Sequence, residues 1–538
     1  MKKNKLVLMI ITILVFVVLL VGATYAYFAS DANVGDGLDF TVITDENNIA
    51  FAATSGVLSM YVAAENMLPS QIGNGDTLAA EVTGENNMIV TLAANTQTPI
   101  ACSYNMYFQW NEGEAYLTPT NANKNEFTLE LELQDRDGTG GEGTNKFANE
   151  TQLTKVVTTK NKTLIVEGAY IVGSQTRSGL QTWVPTTRFY NLTDNQVALS
   201  GANFGGKFTI EDVECNKLSL LSDSVLALVS NNNYVSSQDQ SIYKVVREEV
   251  AYNNQTLDAG VRYEGNDPDN YVSFNGDEEW RIIGVFEGST IGLEPGKQYT
   301  KIIRNTSMHK GWDDYYYYDS ETGEEIYGEN DWVNSSLNIF LNGEYLNGNG
   351  LITKDDWGNN VKSLLTSSKN KIAMYNGNYS TWYLRGLSSS DVYTPDMYIA
   401  ERITGTPGYK DGVKGAADAT TTGAIGIMYP SDFGYAAYGE NCDNKTSMTL
   451  SNYGTLDWET METSGCMEVD WLFSENQTEW LIFPRASTST QALQVSFEGG
   501  LVFAGPLFEA EVRPVIYLEA SVAVFDGTGT KADPYIII

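Results

Sequence analysis

The chain has 538 residues and carries 33 Lys plus Arg against 68 Asp plus Glu, a formal net charge of -35. So strong a polyanion repels phosphate backbones and anionic headgroups, which argues against nucleic acid as a partner. The length suits two to four domains, and a 19% charged content rich in Gly, Asn, Ser, Thr and Tyr reads as β-rich and extracellular.

Lys2, Lys3 and Lys5 precede an uncharged run over residues 6–23. Positive residues stay on the cytoplasmic side, and a run of this length reaches across the hydrocarbon core as a helix. Residues 1–30 are therefore expected to be a signal peptide or a membrane anchor. The small-residue pattern Thr24-Tyr25-Ala26 suits a signal-peptidase site, and an uncleaved helix would tie the protein to the membrane. The stretch Gly22-Ala23-Thr24-Tyr25-Ala26-Tyr27-Phe28-Ala29-Ser30 resembles the export signal of camelysin-type biofilm-matrix proteins of Gram-positive bacteria. That resemblance implies a route out of the cell.

Residues 31–215 read as an antiparallel β-sandwich. Cys102, Tyr104, Met106, Phe108 and Trp110 alternate with Ser103, Asn105, Tyr107 and Gln109, as do Phe127, Leu129, Leu131 and Leu133 with Thr128, Glu130 and Glu132. Such strands bury one face and wet the other. Asn161-Lys162 separates two further β-rich runs, 155–160 and 163–172. Four cysteines, Cys102, Cys215, Cys442 and Cys466, suit two structural disulfides in an exported protein. Sequential pairing, 102 with 215 and 442 with 466, keeps each bridge within one expected domain. A redox pair lacks Cys-x-x-Cys spacing, and metal ligation lacks a neighbouring His. Phe208 and Ile210 share a parity that Cys215 does not, so reaching the inner-face Cys102 requires a bulge or a strand end.

Residues 216–244 are expected as a helix and linker, with Leu218, Leu221, Val225 and Leu228 on one helical face and the boundary in the polar stretch 230–240. Residues 245–538 mix hairpins with short helices. An Asn275-Gly276 turn joins 271–274 to 280–286. Ser335 and its neighbours can cap a helix burying Leu337, Phe340 and Leu341, with Trp332 just ahead. Strand-like segments 493–497, 501–503, 513–518 and 534–538 close the chain.

A broader resemblance runs through this half. It is carried by Trp280-Arg281-Ile282-Ile283-Gly284-Val285-Phe286, Ile302-Ile303-Arg304-Asn305, Asp331-Trp332-Val333-Asn334-Ser335-Ser336-Leu337, the stretch from Gly426 to Ala436, and the Cys442 and Cys466 pair. Asp470-Trp471-Leu472, Trp480-Leu481-Ile482-Phe483-Pro484, Val512-Arg513-Pro514-Val515 and the closing Gly527-Thr528-Gly529 to Asp533-Pro534-Tyr535 complete it. Together these resemble a domain of surface proteins from gut Gram-positive bacteria, itself similar to the C-type-lectin-like fold shared with formylglycine-generating enzymes. The resemblance implies an α+β, C-type-lectin-like module and a surface location. Neither family activity carries over. The Glu-Pro-Asn and Trp-Asn-Asp calcium motifs are missing, since Glu294-Pro295-Gly296 and Trp312-Asp313-Asp314 do not replace them. The oxidative cysteine pair has no counterpart in position.

The single histidine, His309, reads as a solvated loop residue in a polar turn, which leaves no nucleophile–His–acid arrangement in view. Paired carboxylates for a carbohydrate-active hydrolase remain open among 68 acidic residues, with none distinguished by spacing. Asp135, Asp137 and Glu142 surround glycines and are the candidate calcium ligands, against the simpler reading of a flexible connection. Asp526-Gly527-Thr528-Gly529-Thr530 reads as a hairpin turn. Tyr315, Tyr316, Tyr317 and Tyr318, expected as a surface loop, and Trp382 and Tyr383 with Arg385 are the candidate ligand-binding groups, because aromatic rings stack on sugars and pack on proteins. The expectation is a non-enzymatic extracellular surface protein binding a glycan or protein through its second half. A fibre-forming matrix component and a hydrolase are the alternatives.

Overall fold

Alternating polarity sets the architecture of the amino-terminal part, and buried continuous strands set that of the rest. The computed structural model describes residues 40–45, 49–61, 77–83, 87–96, 98–111, 127–135, 140–141, 144–145, 162–175, 177–191, 201, 203–229, 233–276, 278–314, 316–318, 325–439, 442, 448–453, 456–457, 462–463, 466–475 and 477–538. The expected export helix at 1–30 lies outside them. Among the described residues, no helix is long and apolar enough to cross a membrane. The chain divides into two compact units, the first formed by Met1–Thr96 and Ala101–Asn216, the second by Gln97–Ile100 and Lys217–Ile538.

The first unit is an antiparallel β-sandwich. One sheet contains β1 (Phe40–Asp45), β2 (Ile49–Thr54), β4 (Thr77–Thr83), β5 (Met88–Ala94), β7 (Phe127–Asp135) and β11 (Gly179–Asn191). The other contains β3 (Gly56–Tyr61), β6 (Ile100–Trp110), β8 (Gly140–Gly141), β9 (Thr144–Asn145), β10 (Thr163–Gly173) and β12 (Asn203–Lys217). The β6 face of Cys102, Tyr104, Met106, Phe108 and Trp110 is buried as its alternation demands. Several of the polar groups that enter this core pair with one another or with the backbone. The Tyr104 hydroxyl donates to Gln181 Oε1 at 2.8 Å and accepts from Trp183 Nε1 at 2.8 Å, while Gln181 Nε2 donates to the Tyr170 carbonyl at 2.9 Å.

Cys102 and Cys215 are bridged across β6 and β12, their Cα atoms 4.0 Å apart. The parity conflict is resolved at Asp212. Phe208 and Ile210 are buried, Asp212 has φ 54°, and beyond it the inward positions fall on the odd-numbered residues that include Cys215. Aspartate tolerates this left-handed backbone better than most residues. It is held by donation from Asn105 Nδ2 at 3.2 Å and from the Tyr107 hydroxyl.

The second unit begins earlier than expected, because residues 219–229 and 233–252 are folded into it. Ser219–Leu220 pairs with Ala523–Asp526, Tyr234–Val235 pairs with Ile242–Tyr252, and only Leu221–Leu226 is helical, burying Leu221 and Val225. The helix is shorter than its apolar spacing suggests because Leu218 stands before a strand. A ten-stranded sheet runs Ser219–Leu220, Ala523–Asp526, Tyr535–Ile537, Tyr271–Phe274, Glu278–Glu287, Gln255–Glu264, Ile242–Tyr252, Tyr234–Val235, with Gln298–Arg304 branching from Glu278–Glu287 and Val515–Tyr517 pairing in turn with Gln298–Arg304. A five-stranded sheet is ordered Met308–Gly311, Glu509–Val512, Glu479–Pro484, Ala492–Val495, Leu501–Ala504. Short helices and a second disulfide, Cys442 to Cys466, lie among the connections.

The Asn275-Gly276 turn forms with φ 60° and 81°, as a two-residue hairpin of this twist requires. Asn275 is also buried. Its Oδ1 accepts from Leu365 N at 2.7 Å, and its Nδ2 donates to the Ser363 carbonyl at 3.3 Å. Asn275→Ala should therefore cost about 1–3 kcal/mol, from a strained φ and an orphaned buried N–H, measured as a shift in the urea midpoint. The closing hairpin at Gly527 and Gly529 has φ 87° and 82°, and joins Ala523–Asp526 to Tyr535–Ile537. Ser335 caps Ser336–Phe340, its hydroxyl accepting from Asn338 N at 3.1 Å, with Leu337 and Leu341 buried.

Candidate functional site

Three places in the second unit carry chemistry, and the most exposed is built around Trp357. His309 is not in a solvated loop. It lies in strand Met308–Gly311, paired with Glu511, and its Nε2 is 3.0 Å from Glu511 Oε1. Asp355 explains how a loop is pinned to that strand. Its carboxylate accepts from His309 N at 3.1 Å, Trp357 N at 3.1 Å and Asn359 N at 2.7 Å. Burial works to raise its pKa, but these bonds and that from the Asn359 amide prevail and hold it low.

So fixed, the Trp357 indole stacks on the His309 ring with centroids 3.4 Å apart and an 11° interplanar angle. Its Nε1 donates to Glu509, yet the residue stays 63% exposed. Singly exposed aromatics are common, but this one is immobilised on one ring face, at its backbone and at its ring nitrogen. The result is a rigid apolar plate edged by Glu509, with the exposed Phe508 next in the chain.

A half-open cleft of about 200 Å³ is the second place, lined among others by Trp332, Asn338, Asn342, Tyr379, Trp382 and Thr421. Asn342 ties its wall together. Its Oδ1 accepts from Ile425 N at 3.0 Å, and its Nδ2 donates to the Ile425 carbonyl at 2.8 Å. Trp382 borders the cleft but is fully buried, with Nε1 donating to the Gly423 carbonyl at 2.9 Å. It packs against Tyr429 and Tyr517, so it offers no face for a ligand to stack on. Tyr383 is committed as well, its hydroxyl donating to the Thr290 carbonyl at 3.0 Å, and Arg385 Nη1 donates to the Gly405 carbonyl at 3.1 Å. The expected cluster of Trp382, Tyr383 and Arg385 is thus mainly structural, because a strand flanked by a core places alternate aromatics inside.

The third place is a buried ion network that the sequence did not reveal. Asp432, at the start of helix Pro430–Ala436, accepts from Arg262 Nη1 on Oδ1 at 2.8 Å, and on Oδ2 from Lys301 and from Tyr429 N at 2.9 Å. Beside it, Glu401 accepts from Ser431 N at 2.7 Å and from the Ser431 hydroxyl at 2.6 Å, and pairs with Arg402. Glu401 and Arg402 sit in a π-helical turn, Ala400–Thr404, a geometry that recurs at special sites. Burial pushes Lys301 down to about 8; Asp432 opposes that fall, while Arg262 and Arg402 add to it. Burial also tends to raise Asp432, but its two cations hold it well below the carboxylate range, whereas Glu401 is raised by burial.

The other expected residues fall elsewhere. Tyr316–Tyr318 is a strand paired with Glu325–Tyr327 and not a loop, and Tyr315 lies outside the described residues. Asp135 ends β7, while Asp137 and Glu142 lie outside the described residues. Among the described residues no group of three or more His, Cys, Asp or Glu is arranged to hold a metal ion. All four cysteines are bridged in the sequential pairing. Comparison with protein-family models, curated proteins and solved structures gives no match to this chain.

Proposed function

We propose that this chain is an exported, non-enzymatic surface protein whose second unit binds carbohydrate, with the Trp357 plate as the contact. The observation that carries the reading is an indole 63% exposed yet locked by His309, Glu509 and the Asp355 loop. A rigid aromatic face loses little entropy on binding, and the C–H face of a pyranose ring covers it while a carboxylate at its edge accepts hydroxyl protons. Glu509, the exposed residue at the start of strand Glu509–Val512, supplies such an acceptor. A polyanionic surface favours a neutral or cationic glycan over an acidic one.

Two disulfides suit an oxidising compartment outside the cytosol. A C-type-lectin-like fold for the second unit belongs to the same proposal. It is supported by the pairing of strands from the unit's two ends, Ser219–Leu220 with Ala523–Asp526 and Tyr271–Phe274 in parallel with Tyr535–Ile537.

The test is a glycan array probed with the full exported chain, followed by titration of the best neutral sugar. Trp357→Ala should weaken binding at least about tenfold, or 1.4 kcal/mol, with an unchanged circular dichroism spectrum. Binding that survives this substitution, or an array without a single positive, overturns the reading.

A further inference from the structure

Lys301 stands in the middle of strand Gln298–Arg304, opposite Lys-facing Gly284 on one neighbouring strand and Tyr517 on the other. Its ammonium meets Asp432 Oδ2, and neither side chain has any exposed surface. The rings of Tyr429, Tyr517, Phe286 and Trp382 surround the nitrogen, with centroids at 4.7, 5.4, 5.6 and 5.7 Å. An ammonium has three protons to donate, and among the described residues this one hydrogen-bonds to Asp432 alone. Arg262 Nη2, beside it, is buried without a partner. A charge so placed is costly, and cation–π contacts offset only part of that cost.

We propose that Lys301 and Asp432 condense without help from another molecule into an intramolecular amide, cross-linking the central sheet to helix Pro430–Ala436. The amine nitrogen already touches one oxygen of the carboxyl group it would attack, and the product replaces two buried ions by a neutral group with a single N–H.

The step balances within the pair. One ammonium proton passes to Oδ2 along their contact, leaving a neutral amine beside a carboxylic acid. Nζ attacks Cγ and the N–C bond forms, while Oδ1 takes up negative charge against Arg262 Nη1, its donor at 2.8 Å. A second proton then moves from nitrogen to Oδ2, the Cγ–Oδ2 bond breaks and water leaves. Two of the three ammonium protons depart in that water, the third stays on the amide nitrogen, and nothing is oxidised or reduced. Proximity in a water-poor enclosure both raises the effective concentration of the amine and disfavours the back reaction.

The experiment is mass spectrometry of the full folded chain after reduction, denaturation and trypsin digestion. The expected result is a branched peptide, one water lighter than its two parts, joining residues 298–304 to the peptide that contains Asp432, with no cleavage after Lys301. Lys301→Met and Asp432→Ala should each give the unbranched Asp432 region at its sequence mass. If Asp432→Ala fails to fold, the wild-type digest and Lys301→Met still decide. Cleavage after Lys301 and an unmodified Asp432 peptide in the wild-type digest overturn the proposal and leave a permanent salt bridge. Because this readout involves no ligand, its failure is independent of any failure of carbohydrate binding.

Discussion

Asp432→Ala should destabilise the second unit by at least about 3–5 kcal/mol, the cost of stranding a buried charge whose partner is removed. Without Asp432, Arg262 and Lys301, both essentially without solvent contact, lose the one group that faces them, whether Lys301 meets it as an ion or through an amide. Asp432 also caps its own helix by accepting from Tyr429 N. Lys301→Met removes the cross-link just as Asp432→Ala does, yet should cost clearly less, because it leaves Arg262 and Asp432 as a one-to-one pair in an aromatic enclosure that accepts a thioether. Urea unfolding followed by tryptophan fluorescence checks the order, since Trp280, Trp312, Trp382 and Trp480 are all buried in this unit. Equal losses in the two variants would mean that the link between Lys301 and Asp432 outweighs the charge that Asp432→Ala leaves stranded.

What the sequence made legible was governed by periodicity. In β6 the apolar residues repeat every second position, and only one face can be dry, so the sandwich and the inner residues of that strand followed directly. The Cys102–Cys215 bridge was legible to the point of requiring an irregularity between Ile210 and Cys215, which Asp212 supplies. The turn at Asn275 was legible because few residues accept its backbone conformation. Charge pairing across long separations was not. Arg262, Lys301 and Asp432 lie on three elements, and each alone reads as a surface residue in sequence. The same limit concealed the Trp357 plate: nothing near residue 357 announces His309 or Glu509, which a different sheet brings to it. Trp382 erred in the other direction, because a Trp-Tyr-x-Arg run looks like a binding surface until alternate residues are found to face a core.

Raising the pH from about 4 to about 7 should weaken the second unit through Asp470, with little further loss from this group above that range. Burial, the largest influence, lifts its pKa from 3.8 to about 7, against hydrogen bonds from Tyr453 and Leu472 and the charge of Arg513. The Tyr453 hydroxyl donates to Oδ2 at 2.6 Å and Leu472 N to Oδ1 at 2.7 Å. Arg513 is turned away to Glu479, which takes its Nε at 2.8 Å and its Nη2 at 2.7 Å, so it does not neutralise Asp470 directly. A group with a raised folded pKa holds more protons folded than unfolded. Its contribution is complete below the unfolded value and disappears as pH passes the folded one. At about 1.4 kcal/mol per pH unit, the loss is at most about 4 kcal/mol. Glu401 and Glu479 are also raised by burial and add slope of the same sign, so the informative quantity is the difference from Asp470→Asn. That variant keeps an acceptor for Leu472 N and never ionises, so the difference in unfolding free energy should grow in its favour from pH 4 to pH 7. A difference that stays constant across this range would show that Asp470 ionises in the folded protein as readily as it does in water.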